Sequence, residues 1–174
     1  MADHCLIECL VGDITQQSDF DVVVNAANAE LRTGGGVAGA IHRAAGPELD
    51  RACRSLAPIA PGQAVITSAF DMPNQAVIHV LGPVYGVDEP ADRLLASCYR
   101  QALDLAEESG FTSIAFPAIS TGAFGYPALP AARIALSTLK QAAKESPLKR
   151  IRMVLFNQAD CDLHQRVLDE IDKH

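Results

Sequence analysis

Asp21-Val22-Val23-Val24-Asn25-Ala26-Ala27-Asn28 is followed, after five residues, by Gly34-Gly35-Gly36-Val37-Ala38-Gly39-Ala40-Ile41. The valines read as a buried strand. The chain then passes through two carboxamides and three glycines into a small-residue segment with a helical pattern. Glycines let peptide N–H groups approach a ligand closely, and the start of a helix adds the positive end of its dipole. This order builds an anion site from bare backbone, and its expected guest is a phosphate.

Outward from that stretch, short Val/Ile-rich runs alternate with longer helical patterns, the signature of an α/β domain. The strand candidates are Leu6 to Val11, Val22 to Asn25, Ala64 to Thr67, Val77 to Leu81, Ser113 to Phe116 and Met153 to Phe156. No long helical stretch separates Ala64 to Thr67 from Val77 to Leu81, so that pair is expected antiparallel in an otherwise largely parallel, mixed sheet. One helix places Leu94, Leu95, Cys98, Ala102 and Leu105 on a face and stops at Gly110. A second runs from Leu129 to about Glu145, with Pro147 behind it. A third presents Leu163, Val167, Leu168 and Ile171 after Asp160 as its N-cap. With 174 residues and no linker or repeat, one domain over 1–174 is expected.

Composition narrows the function. A net charge of −7 argues against binding nucleic acid through its backbone phosphates. The one basic knot, Lys149, Arg150 and Arg152, reads as the solvated entry to a strand. Although 49% of residues are hydrophobic, no apolar run reaches the roughly 20 residues of a membrane span. Met1-Ala2-Asp3-His4 has no signal-peptide pattern, and five cysteines without framework spacing suggest reduced thiols. A cytoplasmic protein is the expectation.

A second glycine-bearing turn, Pro117-Ala118-Ile119-Ser120-Thr121-Gly122-Ala123-Phe124-Gly125-Tyr126-Pro127, also joins a strand end to a helix, the edge where open α/β sheets bind ligands. Neither loop carries Lys or Arg, so a phosphate there falls to N–H groups and to hydroxyls such as Ser120 and Thr121. Gly34, Gly36 and Gly39 match G-x-G-x-x-G, yet they start nine residues past Asn25 and lack the acidic strand end of a dinucleotide fold. Ala40-Ile41 stands where a P-loop needs Lys-Ser/Thr. Ser120 lacks the first glycine of a nucleophile elbow, which leaves it a ligand contact or a turn hydroxyl. Cys5 and Cys9 on a strand lie roughly 13 Å apart, too far to share a zinc ion. Asp160, Asp162 and His164 read as a helix start. No metal and no cofactor is expected.

Gly12-Asp13-Ile14-Thr15, Asn25-Ala26-Ala27-Asn28, Gly34-Gly35-Gly36-Val37, Ile41-His42-Arg43-Ala44-Ala45-Gly46 and Pro117-Ala118-Ile119-Ser120-Thr121-Gly122 stand in the order and approximate spacing of the macrodomain family, which the chain resembles over nearly its whole length. Ala64-Val65-Ile66-Thr67 and Val77-Ile78-His79-Val80-Leu81-Gly82-Pro83 look like the branch with bacterial O-acetyl-ADP-ribose deacetylases and mono-ADP-ribosyl hydrolases. The resemblance implies a three-layer α/β/α sandwich on about six strands that binds ADP-ribose and hydrolyses its esters with a positioned water. The partners it implies are ADP-ribose and its esters, including mono-ADP-ribosylated proteins, with nucleic acid only as a modified terminus, no membrane, and a monomeric chain.

By the same resemblance Asp13 accepts from the adenine amine beside the Ile14 amide, and Phe156 packs on the base. Gly34, Gly35, Gly36 and Val37 face Ser120, Thr121, Gly122 and Ala123 across the phosphates, Phe124 lies beside the distal ribose, and Asn28 holds that ribose and orients the water. From the residues alone, Asp13 and Asn28 read as turn residues, Phe156 as core and Phe124 as a loop anchor. Many hydrolases of this branch carry Asp after Gly-Gly-Gly-Val, where this chain has Ala38, so a reader without turnover stays open beside the hydrolase. His42 and His79 are candidate substitute bases, with structural roles favoured for both.

Overall fold

The computed structural model describes residues 5–32 and 34–173; the Met1-Ala2-Asp3-His4 start lies outside them. Six strands form one sheet in the order β1-β6-β5-β2-β4-β3. They are β1 (Leu6–Val11), β2 (Val22–Ala26), β3 (Ala64–Ser68), β4 (Ala76–Val80), β5 (Ser113–Phe116) and β6 (Arg150–Leu155). All neighbours pair in parallel except β3, which runs antiparallel to β4, as expected from the short connection.

Helices α1 (Gly36–Ala45) and α2 (Pro47–Arg54) cover one face, and α3 (Ala91–Glu108), α4 (Ala128–Ala143) and α5 (Gln158–Asp172) the other. β2 shows why the layers exist. Val22 and Val24 enter the core beneath α3 to α5 while Val23 enters the core beneath α1 and α2, and all three are fully buried. A strand apolar on both faces is stable only between two helical layers, each buried valine contributing about 1.5–3 kcal/mol.

The helices follow from their local sequences. Pro47 opens α2, with Glu48 and Asp50 in its first turn and Arg51 and Arg54 in its last, matching the dipole at both ends. In α3 the stripe Leu95, Cys98, Tyr99, Ala102, Leu103 and Ala106 is buried; Leu94 and Leu105, which the sequence placed on that face, are only half-buried. The cap of α5 is Asn157, whose Oδ1 accepts from the Asp160 amide at 2.9 Å, and not Asp160 itself. Of the basic knot, Lys149 is exposed at the entry to β6, as expected, but Arg150 and Arg152 are not simply solvated. The Arg150 and Arg152 guanidinium groups sit 4.5 and 4.4 Å from the centroid of the Phe20 ring, and both reach Glu8 Oε1, at 3.3 and 2.8 Å.

A polar cluster interrupts the core beneath α1. Asn25 and His79 are register partners across β2 and β4, with 3.0 Å between Asn25 Nδ2 and His79 Nδ1. Asn25 donates there, so the other ring nitrogen carries the hydrogen and donates to Thr67 Oγ1 at 3.0 Å; that hydroxyl donates on to the Ser68 carbonyl. Burial, aided by neighbouring His42, pushes His79 down to about 3, consistent with this neutral tautomer. His42 and His164 are also buried, and burial holds both below the ordinary imidazole value.

These three depressed imidazoles fix the sign of the pH response. The unfolded chain, with imidazoles near about 6.5, takes up protons that the folded chain refuses, so acid favours unfolding. Unfolding free energy is expected to fall between pH 7 and pH 5, by up to about 1.4 kcal/mol per pH unit for each proton. Urea titrations across that range check this, and His79→Gln is expected to give a shallower slope.

Candidate functional site

Five connections leave the sheet's C-terminal edge around one cleft of about 860 Å³. All thirteen residues expected at the site line it: Asp13, Ile14, Asn28, Gly34, Gly35, Gly36, Val37, Ser120, Thr121, Gly122, Ala123, Phe124 and Phe156. The volume lies within the range of small-molecule sites, roughly 300–1,000 Å³.

After β1, the Gly12 amide donates to the Leu155 carbonyl at 3.0 Å, tying the turn to the end of β6. Asp13 then caps a single 3-10 turn, Ile14–Gln16. Its Oδ1 accepts from the Thr15 hydroxyl at 2.6 Å and the Thr15 amide at 2.9 Å, which together hold the carboxyl below its ordinary value. Oδ2 has no protein partner among the described residues. Asp13 is thus both the turn residue the sequence allowed and an exposed carboxylate on the cleft wall. Beyond the end of neighbouring β6, Phe156 is 81% exposed, which overturns the reading of this ring as core.

The turn after β5 is held from behind. Ser120 takes a left-handed conformation, φ 68°, and its hydroxyl donates to the Pro83 carbonyl at 2.8 Å. This hydroxyl therefore acts in the turn. Tyr126 N donates to Ser120 O and Gly125 N to Gly122 O, closing the loop. Among the described residues, the amides of Ser120, Thr121, Gly122, Ala123 and Phe124 donate no hydrogen bond within the protein. A run of unpaired N–H groups in a turn is an anion-binding concavity.

After β2, the Asn28 carboxamide makes two bonds to one backbone unit: Nδ2 donates to Arg32 O at 2.8 Å and Oδ1 accepts from Arg32 N at 3.0 Å. One hydrogen on Nδ2 and one lone pair on Oδ1 remain. Asn28 is an oriented turn residue facing the cleft. α1 begins at Gly36, φ 56°, a conformation that favours glycine, and Gly35 gives it no side-chain cap. Among the described residues no side chain caps the first-turn amides, which stand with the positive dipole end at the start of the helix. A Cβ on Gly39 would stand 2.3 Å from the Gly34 carbonyl oxygen, so only glycine lets the helix lie this close to the loop.

Among the described residues no Lys, Arg or His lines the cleft, and its charged members are Asp13 and Asp160. Ala38 lines it with a buried methyl, and one turn below stands His42, buried, with neither ring nitrogen hydrogen-bonded among the described residues. His42 and His79 both lie in the core beneath α1, the structural placement favoured from sequence. Sequence reasoning missed Asp160, read only as a helix cap, and Gly82, and it named the turn from Pro117 without singling out Pro117 and Ala118 as site residues. Their signal was position: each follows a strand end by one to five residues.

A family model described as Macro domain matches residues 24–135. An O-acetyl-ADP-ribose deacetylase from Enterobacter sp. (strain 638) is 48% identical over 168 residues, covering 93% of each chain. Among solved structures, the Oceanobacillus iheyensis macrodomain with ADP superposes with a TM-score of 0.95 at 41% identity, covering 98% of this chain and 94% of that one. The Trypanosoma brucei macrodomain in complex with ADP-ribose gives 0.86 at 37% identity, covering 92% and 68%.

The Gly39 contact generates a test of the site's architecture. Gly39→Ala is expected to destabilise the fold by about 1–3 kcal/mol, because backbone and not a flexible side chain must yield. A lower urea midpoint with unchanged m-value is the expected result.

Proposed function

The chain belongs to the Macro domain family, and from that premise and the cleft's geometry we propose that it binds ADP-ribose and hydrolyses ADP-ribose esters, either O-acetyl-ADP-ribose or mono-ADP-ribosylated acidic side chains. The observation that carries the reading is a cleft with no Lys or Arg in its described lining, where amides without protein partners among the described residues lie beyond the ends of β5 and β2, beside a carboxylate and an exposed aromatic ring beyond β1 and β6. Adenine lies on Phe156, its exocyclic amine donating to Asp13. The diphosphate lies between the start of α1 and the Ser120 to Phe124 turn, and the distal ribose reaches Asn28 and Phe124.

In this reading the N–H groups hold the diphosphate without a counter-charge, which suits an acidic protein. Water attacks the ester, the bond between the acyl group and the ribose breaks, and ADP-ribose and a carboxylic acid leave. Asn28, fixed by its two bonds to Arg32, positions that water with its remaining hydrogen and lone pair. The ligand's own phosphate takes the proton, since Ala38 supplies no acceptor. That alanine favours a second reading, a reader that binds ADP-ribose and releases nothing.

Salt separates amide capture from capture by Arg32 or Arg43 outside the lining. ADP-ribose affinity is expected to fall only a few-fold between low and physiological ionic strength, and calorimetry at both checks it.

Turnover separates enzyme from reader. A time course of ADP-ribose release from O-acetyl-ADP-ribose and from a glutamate-modified protein is expected to show slow hydrolysis. Asn28→Ala should slow it about 10²-fold while weakening binding much less, since positioning acts on the transition state. Tight binding with no release at enzyme excess would leave the reader.

A further inference from the structure

Besides Asp13, one charged residue among those described lines the cleft: Asp160, in the first turn of α5. Its backbone is fully engaged, the amide donating to Asn157 Oδ1 and the carbonyl 2.8 Å from His164 Nδ1. Its carboxylate makes no hydrogen bond or ion pair among the described residues. No Lys or Arg shares the lining, and buried His164 behind it is held below its ordinary pKa by desolvation and brings no compensating charge. Asp160 thus brings to the cleft lining a carboxylate with no cationic partner among the described residues.

The sheet places this charge against one part of the ligand. Along its C-terminal edge the strands stand in the order β1, β6, β5, β2, each step about 4.8 Å. Asp13 follows β1 and Phe156 follows β6, while the amide-lined turns follow β5 and β2. A ligand with its base at the first pair and its diphosphate at the second must carry the intervening sugar past the end of β6, where α5 begins.

We propose that Asp160 makes the cleft selective for an adenosine ribose with both hydroxyls free, accepting from a ribose hydroxyl and excluding the 2′-phosphorylated ligand, 2′-phospho-ADP-ribose. The proposal rests on the ADP-ribose reading above. Dinucleotide folds separate the same two sugars by the same chemistry, an acid accepting from the free hydroxyl and an arginine receiving the phosphate. The dipole at the start of α5 attracts a phosphate with only about half a unit charge, which the full charge of Asp160 outweighs. Water screens the pair incompletely at the wall of a cleft, so the repulsion reaches the ligand.

Competition calorimetry with ADP-ribose and 2′-phospho-ADP-ribose tests this. Wild type is expected to prefer ADP-ribose tenfold or more, Asp160→Asn to narrow the ratio at least threefold, and Asp160→Arg to narrow it further or invert it. Thermal melts of the free variants show that they fold. Equal affinities in wild type, or an unchanged ratio in both folded variants, would overturn the selectivity. Failure of wild type to bind either ligand would instead overturn the ADP-ribose reading, a result distinct from the first.

Discussion

β2 is hemmed in on four sides: β4 and β5 pair with it in parallel, and a helical layer covers each face. Polar chemistry is excluded from Val22 to Val24 by that enclosure and returns only as the strand runs out. Asn25 is its first carboxamide, and it is admitted because His79 lies at the same register to receive its hydrogen. Three residues later Asn28 lies at the cleft. The location of the site is thus a consequence of how the central strand is buried, because its C-terminal edge combines open space with backbone amides that have no protein partner among the described residues.

That edge handles charge without cations. An arginine clamp gives strong pairing but is itself a flexible, hydrated ion that must be ordered. Amides fixed in a turn and at a helix start are ordered before the ligand arrives, and the protein bears that cost in its own fold. The left-handed Ser120, the hydroxyl drawn back onto Pro83, and the helix lying against Gly34 are parts of that arrangement.

Much of this was legible in the sequence for a physical reason. Strand and helix patterns are set by burial on one or two faces, and Val22 to Val24 or the α3 stripe can bury themselves in few ways. The glycine loops were legible because they declare a backbone requirement. What failed depended on contacts between distant segments. Phe156 looked like core because most phenylalanines are, and only the turn of the chain out of β6 leaves it bare. Arg150 and Arg152 looked solvated because Phe20 and Glu8 are more than 120 residues away. Asp160 looked like a cap because nothing local told it from Asn157, and its place on the cleft wall became visible only with α5 set against the sheet edge. The bidentate turn at Asn28 was within reach of sequence reasoning, and there both readings of the residue hold together.

Because β1 is an edge strand, its one neighbour in the sheet is β6, the last strand in the chain. During synthesis the first strand has no partner until residues 150–155 have emerged, long after β2, β4 and β5 are available to one another. The two ends of the cleft consequently have different ages: the glycine grips come from an early-completed centre, whereas the wall with Asp13 and Phe156 is assembled last. Until β6 emerges, the strand that leads into Asp13 has no partner in the sheet.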